Sequence, residues 1–272
     1  MILDDIAQAT KKRVACAKKI ESPRQVQEKA EMLAAQESVP AVKKNDTDIV
    51  LPFEKALSSP GLSFICEIKR ASPSKGLIAE DFPYLKIAKA YETTGASAIS
   101  VLTEPDFFKG SNRYLQEVVR EVSVPVLRKD FTIDKYQIYE AKILGASAVL
   151  LICALLDNKT LKSFLSIARG LNLDALVEAH NEDEIKNALD VGARIIGVNN
   201  RDLTTFKIDI NNSLRLRPLV PKDRIFVAES GINTPEDIAT LQAASVDAVL
   251  IGEALMRSGD KKKALLSFKS LN

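Results

Sequence analysis

Gly95-Ala-Ser-Ala-Ile99, Gly145-Ala-Ser-Ala-Val149 and Gly192-Ala-Arg-Ile-Ile196 are three copies of one junction, and Ser245-Val-Asp-Ala-Val249 is a weaker fourth. A glycine at this place suits the left-handed residue that ends a helix before a strand begins. Working outward, short apolar runs recur along the chain: Ser63–Ile68, Ala98–Leu102, Val124–Leu127, Ser147–Ile152, Ala175–Val177, Arg194–Val198, Arg224–Ala228 and Asp247–Ile251. The four junctions introduce the second, fourth, sixth and eighth of them. Stretches of helical period, such as Glu182–Leu189 and Pro235–Ala244, fill most of the gaps. Continuous apolar strands alternating with helices predict a parallel sheet covered on both faces. Eight such units in about 210 residues predict an α/β fold of the (β/α)8 TIM barrel type. A doubly wound open sheet is the alternative, disfavoured because no run is followed by G-x-G-x-x-G.

Residues 1–50 stand outside the repeat. Ile2–Lys19 has the pattern of an amphipathic helix. Ser22-Pro23-Arg24-Gln25 supplies an N-cap, a proline at the first helical position and a capping-box glutamine, predicting a second helix to about Gln36. Asn45-Asp-Thr-Asp48 reads as a polar linker. This segment is too short for a core of its own. It is therefore expected to pack on the barrel as a helical N-terminal extension of a single domain spanning residues 1–272.

Composition excludes several classes of function. The chain has 272 residues, 46% of them hydrophobic and 27% charged, enough to bury a large core. Its 38 basic and 36 acidic side chains leave +2, which gives no electrostatic reason to expect a nucleic acid or a membrane surface as partner. With no tryptophan and few interleaved aromatics, Lys261-Lys-Lys263 reads as a solvated helix face. Three scattered cysteines, Cys16, Cys66 and Cys153, and a single histidine argue against a disulfide framework or a metal site. No basic and apolar leader opens the chain. The longest uncharged run, the 14 residues Ile143–Leu156, is too short to span a bilayer. A cytoplasmic protein without cofactor is expected, and the lack of a long apolar surface stripe points to a monomer.

Barrels of this type carry their chemistry at the C-terminal strand ends. Here the ends read Glu67-Ile-Lys69, Lys129-Asp-Phe131, Glu178-Ala-His180, Asn199-Asn-Arg201, Glu229-Ser-Gly231 and Gly252-Glu253. A single polar residue after a strand is ordinary loop chemistry, but six such ends on one rim make a site. Glu67 and Lys69 are two apart and share a facing, either as catalytic groups or as a structural ion pair. Cys66 then faces the opposite way, under the helices. Ser230-Gly231, Gly252 and a short helix from Glu253 stand where such barrels hold phosphate on backbone N–H groups. Ser72-Pro-Ser-Lys-Gly76 reads as a loop that closes over an anionic substrate, or simply as an exposed turn. His180 shares the facing of Glu178 but reads as structural or solvent-facing. Together these groups suit proton transfer on a phosphorylated small molecule. Burial, or Lys69 as a second cation, is expected to lower the Lys129 pKa and ease proton donation.

Glu67-x-Lys69-x-Ala-Ser72-Pro-Ser74-Lys-Gly76 resembles the signature of the indole-3-glycerol phosphate synthase family. The resemblance runs on through Leu127-Arg-Lys129-Asp-Phe131, Leu176-Val-Glu178, Gly197-Val-Asn199-Asn-Arg201-Asp-Leu203, Glu229-Ser-Gly231-Ile232 and Ile251-Gly252-Glu-Ala-Leu-Met256. It implies closure of the ring of 1-(2-carboxyphenylamino)-1-deoxyribulose 5-phosphate, with loss of carbon dioxide and then water. By matching positions it implies Lys129 as general acid on the sugar carbonyl. Glu178 would act as a base or stabilise the cation developing on the anilino nitrogen. Glu67 and Lys69 would serve the later dehydration. Asn199, Glu229 and Ser230 would orient substrate, Arg201 would support its carboxylate side, and Ser72, Gly231 and Gly252 would hold phosphate.

Two other readings compete. A phosphoribosylanthranilate isomerase-like barrel would be expected to place a cysteine at the end of the first run, where Glu67 and Lys69 stand. A non-catalytic binder of phosphate ligands on a decayed barrel should have lost some of Glu67, Lys129 and Glu178.

Overall fold

A computed structural model describes residues 2–37, 42–43, 49–202 and 205–270. The linker Asn45–Asp48 and Leu203 lie outside the described residues. Eight parallel strands close a barrel: β1 (Ser63–Ile68), β2 (Ala98–Leu102), β3 (Val126–Lys129), β4 (Ala148–Ile152), β5 (Asp174–Ala179), β6 (Ile195–Asn199), β7 (Ile225–Glu229) and β8 (Ala248–Ile251). Each pairs with the next in sequence, and β8 returns to β1 through Leu250 opposite Ile65 and Ile251 opposite Cys66. The open-sheet alternative is thereby excluded.

Alternation sorts the side chains into two cores. Ile65, Ala98, Leu127, Leu150, Leu176 and Val227 are among those filling the barrel interior. Phe64, Cys66, Ile99, Val149, Val177 and Phe226 are among those facing outward under the helices. Phe53 and Leu57, on α3 (Pro52–Leu57), plug the N-terminal end of the barrel.

The repeated junctions share one geometry. Gly95, Gly145 and Gly192 have φ of 85°, 84° and 84°, and Ser245 in the weaker copy has φ 60°. In all four, the next residue's N–H reaches five residues back: Ala96 to Tyr91, Ala146 to Ala141, Ala193 to Ala188 and Val246 to Leu241. This is the left-handed C-cap that satisfies orphan helix carbonyls. Asn172, at φ 56°, builds the same cap with Leu173 N–H on the Ala168 carbonyl. This fifth copy, Asn172-Leu-Asp-Ala-Leu176, is not among the four quoted from the sequence; like the Ser245 copy it carries no glycine.

The N-terminal segment forms α1 (Ile2–Ile20) and α2 (Pro23–Gln36), with both hydrogen bonds of the Ser22–Gln25 capping box present. α1 lies across the C-terminal mouth. Arg13 reaches down to Asp130 (2.8 Å) and Glu104 (3.2 Å), both buried, and Lys18 pairs with Asp134 (2.6 Å). The loop after β1 is a small hairpin in which Ala71 pairs with Leu77 and Ser72 with Gly76.

Candidate active site

Interior-facing residues at the strand ends converge on one cavity. Its floor is polar. Lys129 Nζ, on β3, lies 2.7 Å from Glu229 on β7 and 3.2 Å from Glu178 on β5. Lys69 Nζ lies 2.5 Å from Glu67 Oε1. The other oxygen of Glu67 accepts from Ser100 Oγ at 3.5 Å. Asn199 joins the same lining, its Oδ1 accepting from the Arg201 backbone N–H at 3.0 Å. The walls are apolar on one side, with Phe108, Phe131, Leu150 and Ile152. Ile2, Leu3 and Ile6 of α1 complete them. The N-terminal extension is therefore part of the site, a role its sequence does not reveal.

Two glycines make room for this floor. A Cβ on Gly252 would overlap Glu67 Oε1 and stand 3.0 Å from Lys69 Nζ. A Cβ on Gly197 would overlap Glu229 Oε1. From the sequence, Gly252 is expected to hold phosphate, and Gly197 is given no role of its own. The signal was a glycine at an interior position of a strand, which often marks a close approach.

The charges do not balance in pairs. Three buried carboxylates, Glu67, Glu178 and Glu229, surround two ammonium groups. Burial acts to lower the Lys129 pKa, but Glu229, Glu178 and Glu67 outweigh it and hold Lys129 well above its usual value. The expected lowering is thus reversed. Lys69, the cation expected to cause it, is turned to Glu67, and carboxylates stand around Lys129 instead. Burial, with Glu178 and Glu67 nearby, pushes Glu229 up to about 7 despite Lys129. Its Oε1 is buried without a hydrogen-bond partner among the described residues. Burial opposes the ionisation of Glu178 and Glu67 too. It is outweighed by Lys129 and His180 for Glu178, and by Lys69 and Lys129 for Glu67, so both sit below the usual range.

Directly after Glu229 of this floor, Ser230 and Gly231 follow β7 with consecutive left-handed φ of 66° and 80°. A serine there is a strained choice of the kind found at functional sites. Asn200, buried and bonded to Ser213, holds this turn by donating to the Ser230 carbonyl (3.1 Å). Gly252 is the N-cap of the short helix Glu253–Arg257. The Glu253 carboxylate itself is engaged with Arg257 (3.0 Å) and Lys75 (3.6 Å), which leaves its backbone N–H as the group suited to an anion. Arg201 donates to Ser74 Oγ on the hairpin (3.2 Å) and lies 3.9 Å from Glu253. Ser72 also lines the cavity.

Of the two expectations for His180, structural or solvent-facing, the solvent-facing one does not hold. Only 14% of its side chain is exposed, and its Nε2 lies 3.5 Å from Glu178. Cys66 is buried beneath the helices, where burial pushes its thiol pKa up.

Solved structures of low sequence identity share the fold. One is 3-hexulose-6-phosphate synthase from Salmonella typhimurium, with a TM-score of 0.64 at 12% identity over 77% of this chain and 98% of that one. Full-length relatives are much closer. The indole-3-glycerol phosphate synthase of Ruminiclostridium cellulolyticum is 59% identical over 260 residues, covering 96% of this chain and 95% of that protein. The protein of the same name from Endomicrobium trichonymphae is 56% identical over 269 residues, covering 99% and 100%. The sequence model described as indole-3-glycerol phosphate synthase matches residues 3–268. With this match and these relatives, the chain belongs to the indole-3-glycerol phosphate synthase family.

Proposed function

We propose that this chain is a carbon–carbon lyase of tryptophan biosynthesis, converting 1-(2-carboxyphenylamino)-1-deoxyribulose 5-phosphate to indole-3-glycerol phosphate. The observation that carries the reading is Lys129. Its ammonium sits between Glu178 and Glu229 on the cavity floor, with an aromatic and aliphatic wall beside it. The carboxyphenyl ring stacks along that wall, near Phe131 and the α1 side chains. The phosphate binds the backbone N–H groups around Gly231, Gly252 and Glu253, at a helix start where anions are favoured. Ser72 closes over it, and Lys69, Lys75 and Arg201 supply positive charge.

The reaction then follows from placement. Lys129 donates a proton to the sugar carbonyl oxygen as the ring carbon bearing the carboxylate attacks that carbonyl carbon. The anilino nitrogen becomes cationic, and ionised Glu178 stabilises it. Departure of carbon dioxide returns the bonding electrons to the ring and neutralises the nitrogen. The new hydroxyl leaves as water with a proton from Lys69, and Glu67 takes the ring proton released as the indole forms. Asn199, Glu229 and Ser230 orient the substrate chain through these steps. In the resting site a well-charged Lys129 is a reluctant acid. Substrate entry between Lys129 and its carboxylates is the event that frees the proton.

No described helix is long and apolar enough to cross a membrane. In this reading the protein is a cytoplasmic monomer, a single barrel domain with its helical extension, acting on a phosphorylated small molecule. The chain has no tryptophan, so indole fluorescence appears against a dark background. Mixing protein and substrate should give a steady rise in that signal. Binding of the substrate without a rise would favour the non-catalytic binder.

A further inference from the structure

The single histidine of the chain faces the same carboxylate that Lys129 does. Glu178 Oε2 accepts from Lys129 Nζ at 3.2 Å, and Glu178 Oε1 lies 3.5 Å from His180 Nε2. On its other side, His180 Nδ1 lies 3.0 Å from Glu184 Oε2, which also accepts from the His180 backbone N–H at 2.9 Å. Asn212, from the helix Asn211–Leu216, donates to the His180 carbonyl at 3.1 Å, so the backbone is pinned as well. Nε2 is buried and has no hydrogen-bond partner among the described residues.

The tautomer follows from these contacts. Glu184 is an acceptor, so Nδ1 carries a proton. Nε2 then faces a second acceptor, Glu178. A bare nitrogen lone pair against a buried carboxylate is unfavourable, so a proton belongs between them. We propose that His180 is a positioning residue for Glu178: held by Glu184, it shares a proton with Glu178 and fixes the carboxylate oxygen that Lys129 does not hold. This rests on the ring-closing role of Glu178 given above. It adds a reason for Glu178 to stay ionised and oriented toward the anilino nitrogen when substrate draws Lys129 away.

The charged groups facing His180 from the cavity side are Glu178 from β5, Glu184 from the helix Glu182–Asp190 and Glu229 from β7, with Lys129 behind Glu178; Arg201, Asp202, Lys207, Asp209 and Arg215 line a groove that His180 also borders. Burial works to lower the histidine pKa. The Glu184 hydrogen bond and the Glu178, Glu184 and Glu229 charges outweigh it, so His180 titrates above its usual value.

With a single histidine, its pair of carbon-bound ring-proton resonances needs no assignment among residues, which makes the test direct. NMR titration of the whole protein is expected to place the wild-type midpoint above about 6.5. In Glu178→Gln it should fall by about one pH unit as the facing charge is lost. An unchanged midpoint in Glu178→Gln overturns the proposal, whatever the protein catalyses. His180→Gln should lower kcat about tenfold with KM nearly unchanged, and remove the His180 ionisation from the kcat–pH profile. A profile identical to wild type also overturns it. A correct NMR shift in a protein that forms no indole product refutes the ring-closing reading and leaves the pair in place.

Discussion

Gly197 on β6 leaves open the space that the Glu229 carboxylate on β7 occupies, and a Cβ there would overlap Glu229 Oε1. The carboxylate that holds Lys129 thus depends on the absence of one carbon in the neighbouring strand. Gly197→Ala is expected to push Glu229 off Lys129 and lower kcat about a hundredfold. Overpacking should cost only about 1–3 kcal/mol, so the barrel should still fold. Circular dichroism and a crystal structure of the variant would show both. A fully active variant with Glu229 unmoved would refute the dependence.

Arg13 ties α1 to two buried acids on the loops after β2 and β3. Arg13→Met should loosen Ile2, Leu3 and Ile6 from the cavity wall. KM is expected to rise about tenfold with a smaller change in kcat, because the wall binds the ring without taking part in proton transfer. Stability should fall by about 1–3 kcal/mol, below the cost of breaking a fully buried pair because Arg13 is partly exposed. Steady-state kinetics and denaturant unfolding separate the two effects.

Asp174 lies at the closed end of the barrel, accepting a hydrogen bond from the Glu54 backbone N–H at 2.8 Å. Burial, and then the Glu54 charge, raise its pKa to about 7. A carboxyl raised in the folded state binds its proton more tightly than in the unfolded chain. Its stabilising contribution is complete at acid pH and is lost as pH climbs from about 4 to about 7. Asp174→Asn keeps an acceptor and removes the charge. It should be near neutral at pH 4 and stabilising at pH 8, by up to roughly 4 kcal/mol at about 1.4 kcal/mol per unit. A stability difference that does not vary with pH would contradict the assignment.

Ser245 takes the left-handed place that glycine takes at the three other sequence copies. Ser245→Gly should stabilise the protein by about 1 kcal/mol by relieving that strain. Gly192→Ala should cost about the same, since nothing lies within 4 Å of the added carbon and only the backbone is strained. Thermal unfolding of both variants measures the pair of opposite shifts.

Much of this was legible in the sequence because it is local and periodic. The Gly-Ala repeat marked helix-to-strand junctions, and alternation put Glu67 with Lys69 and Cys66 behind them. What was hidden depended on contacts distant in sequence. Nothing in Ile2–Lys19 says which face of the barrel the helix covers, and the Arg13–Asp130 pair spans 117 residues. The Lys129 pKa went the other way because its sign depends on which cation pairs with which carboxylate, and Lys69 chose Glu67. His180 was half legible. Its facing follows from Glu178 two residues before, but nothing in the sequence marks Glu184, four residues on, as the anchor that turns it inward.

In the proposed mechanism, ring closure depends on Lys129 as the proton donor. Lys129→Met nearly preserves the volume and removes the charge. Its single-turnover rate of carbon dioxide release, measured with saturating substrate, tests the claim without interference from product release. The expected result is a fall of at least about a thousandfold, with substrate still bound. A rate within tenfold of wild type would contradict it and assign the first proton transfer to another group.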